Sequence, residues 1–139
     1  MSNNITAALS VETTADEAQS FGEYKAIEKA LKPYIDAAKT GDGALSRTAF
    51  LDHAYVTGSV DGAHYDMDVD TFAGAVSEGG PAPDVQHHIA WINVSGPAAA
   101  ARVEFIHWGE NRFTDFFVLY KKDGAWKISG KVYDSHSKN

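Results

Sequence analysis

The chain has 139 residues, a formal net charge of −7, no cysteine and 44% hydrophobic residues. Disulfides, thiolate metal sites and cysteine nucleophiles are excluded, and the acidity argues against a nucleic-acid partner, whose phosphates need lysine and arginine. One domain with its own core is expected at this length; no segment approaches the ~20 apolar residues of a membrane span and no basic-then-apolar leader is visible, so a cytoplasmic protein with no membrane partner is the default.

Residues 1–19 are polar, small and acidic without sustained periodicity, which predicts a flexible N-terminal arm ahead of a single domain over 20–139. Ser20 stands three residues before Glu23, the spacing of a capping box, and Tyr24, Ile27, Leu31, Tyr34, Ile35 and Ala38 then recur at helical intervals. Pro33 predicts a kink inside that helix, and Gly41 ends it. A short second helix carries Leu45, Ala49 and Phe50 on one side. The next stretch has strand chemistry, with Asp61-Gly62 as a hairpin turn. A third helix is capped by Asp68 or Asp70 and stopped by Gly79-Gly80. Four strands follow, over 85–95, 98–109, 112–122 and 125–136, separated by turns at Gly96, Gly109 and Asp123-Gly124. Helices followed by a long antiparallel meander give an α+β fold.

The strand Arg112–Lys122 alternates, and Asp115 shares a side with Phe113, Phe117 and Leu119. An unpaired buried carboxylate costs several kcal/mol or gives up its charge, so Asp115 is either paired in the core or lines a cavity. His107 shares the parity of Val103 and Phe105, which turns it toward the interior as a core or rim histidine or as a proton-transfer group. His87 and His88 are adjacent on a strand, so they point to opposite faces and cannot chelate together. Asp66, Asp68 and Asp70 resemble the opening of a calcium loop, but Thr71 stands where glycine is needed and Ser77 where glutamate is needed. No metal site and no cofactor are expected, because no ligand spacing, phosphate loop or dinucleotide fingerprint is present. The opposite sheet face carries Ile106, Trp108, Phe116, Val118 and Tyr120, and a second apolar face predicts a homodimer through it.

Three stretches, YIDAAKTGDGALSRTAF, NVSGPAAAARVEF and FTDFFVLYKKDGAWKISGKVY, resemble the nuclear transport factor 2-like superfamily, and within it the group known as "Putative lumazine-binding" proteins. The resemblance covers about residues 22–136 and implies a cone: a curled antiparallel sheet closed by N-terminal helices, of cystatin-like α+β type and usually dimeric. More distantly the chain resembles ketosteroid isomerases, in which a helix tyrosine and a protonated strand aspartate stabilise an oxyanion. That resemblance places Tyr34 and Asp115 on the two donors, but it places Gly58 where the general base belongs. Another base would be needed, with His53, Tyr55, His64 and His107 as the available groups.

Three functions follow as expectations. The first is binding of a small, largely apolar or aromatic ligand in the cone, with Tyr55, Trp91, Phe105, Phe113 and Phe117 on its wall. The second is an isomerase, cyclase or dehydratase using Tyr34 and Asp115 for charge stabilisation and His107 for proton transfer. The third is a dimerisation domain whose pocket is plugged by Trp91, Trp108 or Trp126.

Overall fold

A computed structural model describes residues 14–138. Helix α1 spans Thr14–Thr40, α2 Gly43–Arg47 and α3 Val69–Gly79; the strands are β1 Phe50–Val60, β2 Ala63–Asp68, β3 Gln86–Ser95, β4 Ala98–Trp108, β5 Asn111–Lys122 and β6 Ala125–Lys138. The expected arm lies outside the described residues up to position 13, and its last part is corrected: α1 already starts at Thr14. Ser20 is therefore inside the helix and caps nothing. Glu23, the other half of the expected capping box, instead accepts hydrogen bonds from Lys121 Nζ at 2.9 Å and Trp126 Nε1 at 3.0 Å, fastening α1 to the β5–β6 hairpin. No helix among the described residues is long and apolar enough to cross a membrane.

Ile27, Leu31, Tyr34, Ala37 and Ala38 form the buried stripe of α1. Their spacing of three and four residues keeps them on one side of a 3.6-residue period, and that side packs into the hollow of the sheet. The first residue of α2, Gly43, sits so close to α3 that an added Cβ would lie 2.0 Å from the Ala73 carbonyl oxygen. Its N–H donates to Ser77 Oγ at 3.1 Å. Asp68 is the N-cap of α3, accepting from the Thr71 N–H, and Gly80 with φ of 73° ends it.

The six strands make one curled, unclosed sheet in the order β2-β1-β6-β5-β4-β3. Four pairings are antiparallel and β1 with β6 is parallel. The parallel seam follows from connectivity. After the β1–β2 hairpin, α3 carries the chain to the far edge, and the meander returns strand by strand until β6 meets β1. The hairpin turn Asp61-Gly62 has positive φ at both positions, 52° and 80°, as a two-residue type I′ turn requires.

Three bulges re-aim side chains. Ala90 is extra in β3 between Ile89 and Trp91. An extra residue in β4 falls between Phe105 and Trp108, where His107 takes φ of 58°. Ser129 is extra in β6 between Ile128 and Gly130. A bulged residue shifts every later side chain to the other face, because strand alternation has a period of two.

Candidate functional site

Asp115 is paired in the core, within a buried polar triad. Tyr34 from α1, Asp115 from β5 and Lys131 from β6 are 1%, 0% and 4% exposed. Tyr34 Oη donates to Asp115 Oδ2 at 2.7 Å, and Lys131 Nζ donates in turn to Tyr34 Oη and stands 3.5 Å from Asp115 Oδ2. Asp115 Oδ1 is buried and accepts no hydrogen bond from the protein. Burial pushes the Asp115 carboxyl up and the Lys131 ammonium down, each shift being opposed by the charge of the other. Tyr34 is raised well above the ordinary phenol range, by burial and then by the neighbouring carboxylate.

Aromatic rings surround the ammonium. Lys131 Nζ lies 4.4 Å from the centroid of Phe72, 4.6 Å from Tyr133, 4.7 Å from Tyr34 and 5.8 Å from Trp108. Ring faces attract a desolvated cation by up to about 2 kcal/mol each, which offsets part of the cost of burying it.

A cavity of about 290 Å³ opens beside this cage, between α3 and the concave face of the sheet. Phe72, Val76, Trp108, Phe113 and Tyr133 form much of its wall, and Lys131 is its cationic side chain. Tyr34 and Asp115 do not line it; Lys131 stands between them and the space. The expected pair of oxyanion donors is thus present as a contact but not as an open hole. Their bonds go to each other and to a lysine.

Gly58 explains what became of the base position. An added Cβ there would lie 2.3–2.5 Å from ring atoms of Tyr133. The Tyr133 ring fills the space over the β1 backbone, so no carboxylate can stand there. The alternative bases are all exposed: His53 and His107 face outward, His64 pairs with Asp66 at 2.8 Å, and Tyr55 is 54% exposed. The turn of the β4 bulge directs His107 out and brings Trp108 in against Tyr34, Phe105 and Phe113, reversing the faces expected for both.

Of the expected wall residues, Phe113 lines the cavity. Phe105 and Phe117 lie behind it, fully buried with edges on the Tyr34 ring at centroid distances of 6.0 and 5.1 Å. Tyr55 and Trp91 are corrected: both are exposed on the convex face, Trp91 because the Ala90 bulge pairs it with Arg102. The triad's third member, Lys131, is absent from the sequence expectations. Counting alternately from Trp126 and Ile128 puts it outside; the Ser129 bulge, next to Gly130, turns it in. A glycine beside a strand lysine two positions before a tyrosine was the only available signal. The three aspartates of the calcium-like stretch separate: Asp66 pairs with His64, Asp68 caps α3, and Asp70 binds Arg47 at 2.8 Å.

The profile described as "Putative lumazine-binding" matches residues 22–134. The chain belongs to the putative lumazine-binding family. Among solved structures, an NTF2-like protein of unknown function from Methylobacillus flagellatus KT is 32% identical to this family member, with a TM-score of 0.80 over 84% of this chain and 94% of its own. A ketosteroid isomerase-like protein from Erwinia carotovora atroseptica SCRI1043 shares the fold at 18% identity, with a TM-score of 0.66 over 81% of this chain and 95% of its own. Aldolase FrzH from Cladobotryum sp is 23% identical over 115 residues, which are 82% of this chain and 92% of that enzyme. The nuclear transport factor 2-like, cystatin-like α+β cone expected from the sequence is thereby established.

Proposed function

We propose that this family member binds a small, flat, largely apolar compound in the cone, with an oxygen of that compound meeting Lys131. The observation that carries this reading is the placement of one caged ammonium on the wall of an otherwise mainly apolar cavity of about 290 Å³. Ligand pockets combine apolar walls with a few placed polar groups in this way. Tyr133, Asn111 and the indole N–H of Trp108 supply further hydrogen-bonding side chains of the wall. A carbonyl or anionic oxygen suits an ammonium, and a bicyclic heteroaromatic such as lumazine has both the shape and the oxygens. The open volume weighs against a pocket plugged by its own side chains, since Trp108 forms a wall and Trp126 is held elsewhere by Glu23.

The enzymatic reading changes form. Tyr34 and Asp115 as direct oxyanion donors are disfavoured, because Lys131 covers them. An enzyme acting on a carbonyl compound through Lys131 keeps the same pocket, and the similarity to an aldolase favours that form over the isomerase one. His107 has no part in it.

Thermal melting against lumazines, pterins, steroids and small aromatic ketones tests the binding reading. A ligand at about 100 times its dissociation constant adds roughly 2.7 kcal/mol, which moves the melt by several degrees at this size. The shift is expected in the native chain and is lost in Ala75→Trp, which fills the cavity from a wall residue outside the triad. An unchanged melt across the panel, or an equal shift in Ala75→Trp, overturns the reading.

A further inference from the structure

We propose that Lys131 is a nucleophilic amine that condenses with the carbonyl carbon of an aldehyde or ketone held in the cavity. This inference rests on the pocket reading above and adds covalent chemistry to it. Three features of the geometry point there. Lys131 is the one member of the triad that borders the cavity, whereas Tyr34 and Asp115 are sealed behind it. Four aromatic rings lie within 5.8 Å of its head group and leave it largely desolvated. Asp115 Oδ2 stands 3.5 Å away as a proton acceptor, and the second carboxyl oxygen, Oδ1, is buried with no hydrogen-bond partner. A lysine meant only to hold the fold would not need to reach the cavity wall. Burial also lowers its pKa, which favours the free amine, as desolvated lysines that act as nucleophiles require.

The step balances within the site. The ammonium gives one proton to Asp115, directly or through the Tyr34 hydroxyl. The freed nitrogen pair attacks the carbonyl carbon, forming the N–C bond, and the π pair moves to oxygen. Transfer of a proton from nitrogen to that oxygen gives a neutral carbinolamine. Protonation of its hydroxyl from Asp115 then lets water leave, and the nitrogen pair closes the C=N bond. The product is a protonated imine beside the Asp115 carboxylate, an ion pair of the same charges as at the start. No oxidant or reductant is consumed.

Two probes test this. Benzaldehyde with cyanoborohydride reduces any imine to a stable secondary amine, and peptide mapping then locates it on the native chain without any substitution. Lys131 is expected to carry several-fold more label than any exposed lysine at neutral pH, since a lowered pKa leaves more of its amine free. Pentane-2,4-dione is expected to give the near-ultraviolet band of a conjugated enaminone in the native chain, and Lys131→Arg, which keeps the charge, is expected to lose it. Label spread over the exposed lysines with none on Lys131, or a band unchanged in Lys131→Arg, overturns the proposal. The melting panel needs no covalent bond. A panel shift without Lys131 labelling therefore removes the amine and leaves the pocket, while loss of both removes the two readings together.

Discussion

At the residue scale, three buried side chains, Tyr34, Asp115 and Lys131, carry the site. Asp115→Asn keeps the shape of the side chain but takes away the carboxylate facing Lys131. Breaking a buried pair from one side costs about 3–5 kcal/mol, so urea unfolding of Asp115→Asn is expected to give an unfolding free energy lower by that amount. An unfolding free energy within about 0.5 kcal/mol of the native chain's would mean the pair is already neutral or solvated. The pH dependence has a definite sign. Lys131 is held below 10.5 in the folded chain, so on raising the pH the native state loses this proton before the unfolded state does. Stability from this group therefore rises as pH climbs from the lowered value toward 10.5 and is lost as pH falls back through it. Tyr34 acts oppositely: raised above 10.0, it makes stability fall as pH rises beyond that point. Urea midpoints measured from about pH 8 to about pH 10 are expected to rise more steeply in the native chain than in Lys131→Met. Equal slopes would assign the lysine an ordinary pKa.

At the scale of elements, most of the fold was legible. Helix and strand periodicity, the Asp61-Gly62 turn and the Asp68 cap all carry local chemistry that a sequence displays, and the structure has them where expected, except that the short second helix ends at Arg47 and Phe50, expected on it, opens β1 instead. The parity of Asp115 with Phe113 and Phe117 held because that part of β5 has no bulge. Four of the misassigned side chains share one cause. Trp91, His107, Trp108 and Lys131 all follow a bulged residue or occupy one, and simple alternation assigns each to the wrong face. Bulges depend on what the neighbouring strand does, so a chain read alone does not announce them. The start of α1 failed for a different reason: a serine and a glutamate at capping-box spacing also fit a helix interior, where Glu23 found tertiary partners instead. Gly58 supplies the test at this scale. Gly58→Ala forces a methyl group into the Tyr133 ring, and overpacking of that kind costs about 1–3 kcal/mol. The same substitution combined with Tyr133→Ala is expected to recover most of the loss of Gly58→Ala measured against Tyr133→Ala alone. An additive pair in urea unfolding would show that the ring is free to move away.

At the scale of the whole molecule, the cone has two apolar surfaces, one enclosing the cavity and one facing out. Tyr55, Trp91, Phe116, Val118, Tyr120 and Val132 are each between 40% and 58% exposed on the convex side, with Arg102 placed 5.4 Å from the centre of the Phe116 ring. An exposed face of this kind marks an interaction surface, and a second copy of the chain would cover it symmetrically. Sedimentation equilibrium is expected to show a dimer that Val132→Glu converts to monomer with its circular dichroism intact. A native chain that sediments as a monomer would remove the homodimer. The central claim is that the buried triad serves the pocket rather than the fold. Replacing a buried ion pair by apolar residues of similar volume is often neutral or stabilising, by about 1–4 kcal/mol, so Tyr34→Phe/Asp115→Leu/Lys131→Met separates the two roles. The measurement is isothermal titration of the strongest melting-panel compound into this triple variant and into the native chain. The account predicts a variant as stable as the native chain that binds at least about tenfold more weakly, a loss of roughly 1.4 kcal/mol. Equal affinity in a folded triple variant would contradict it and return Tyr34, Asp115 and Lys131 to the core.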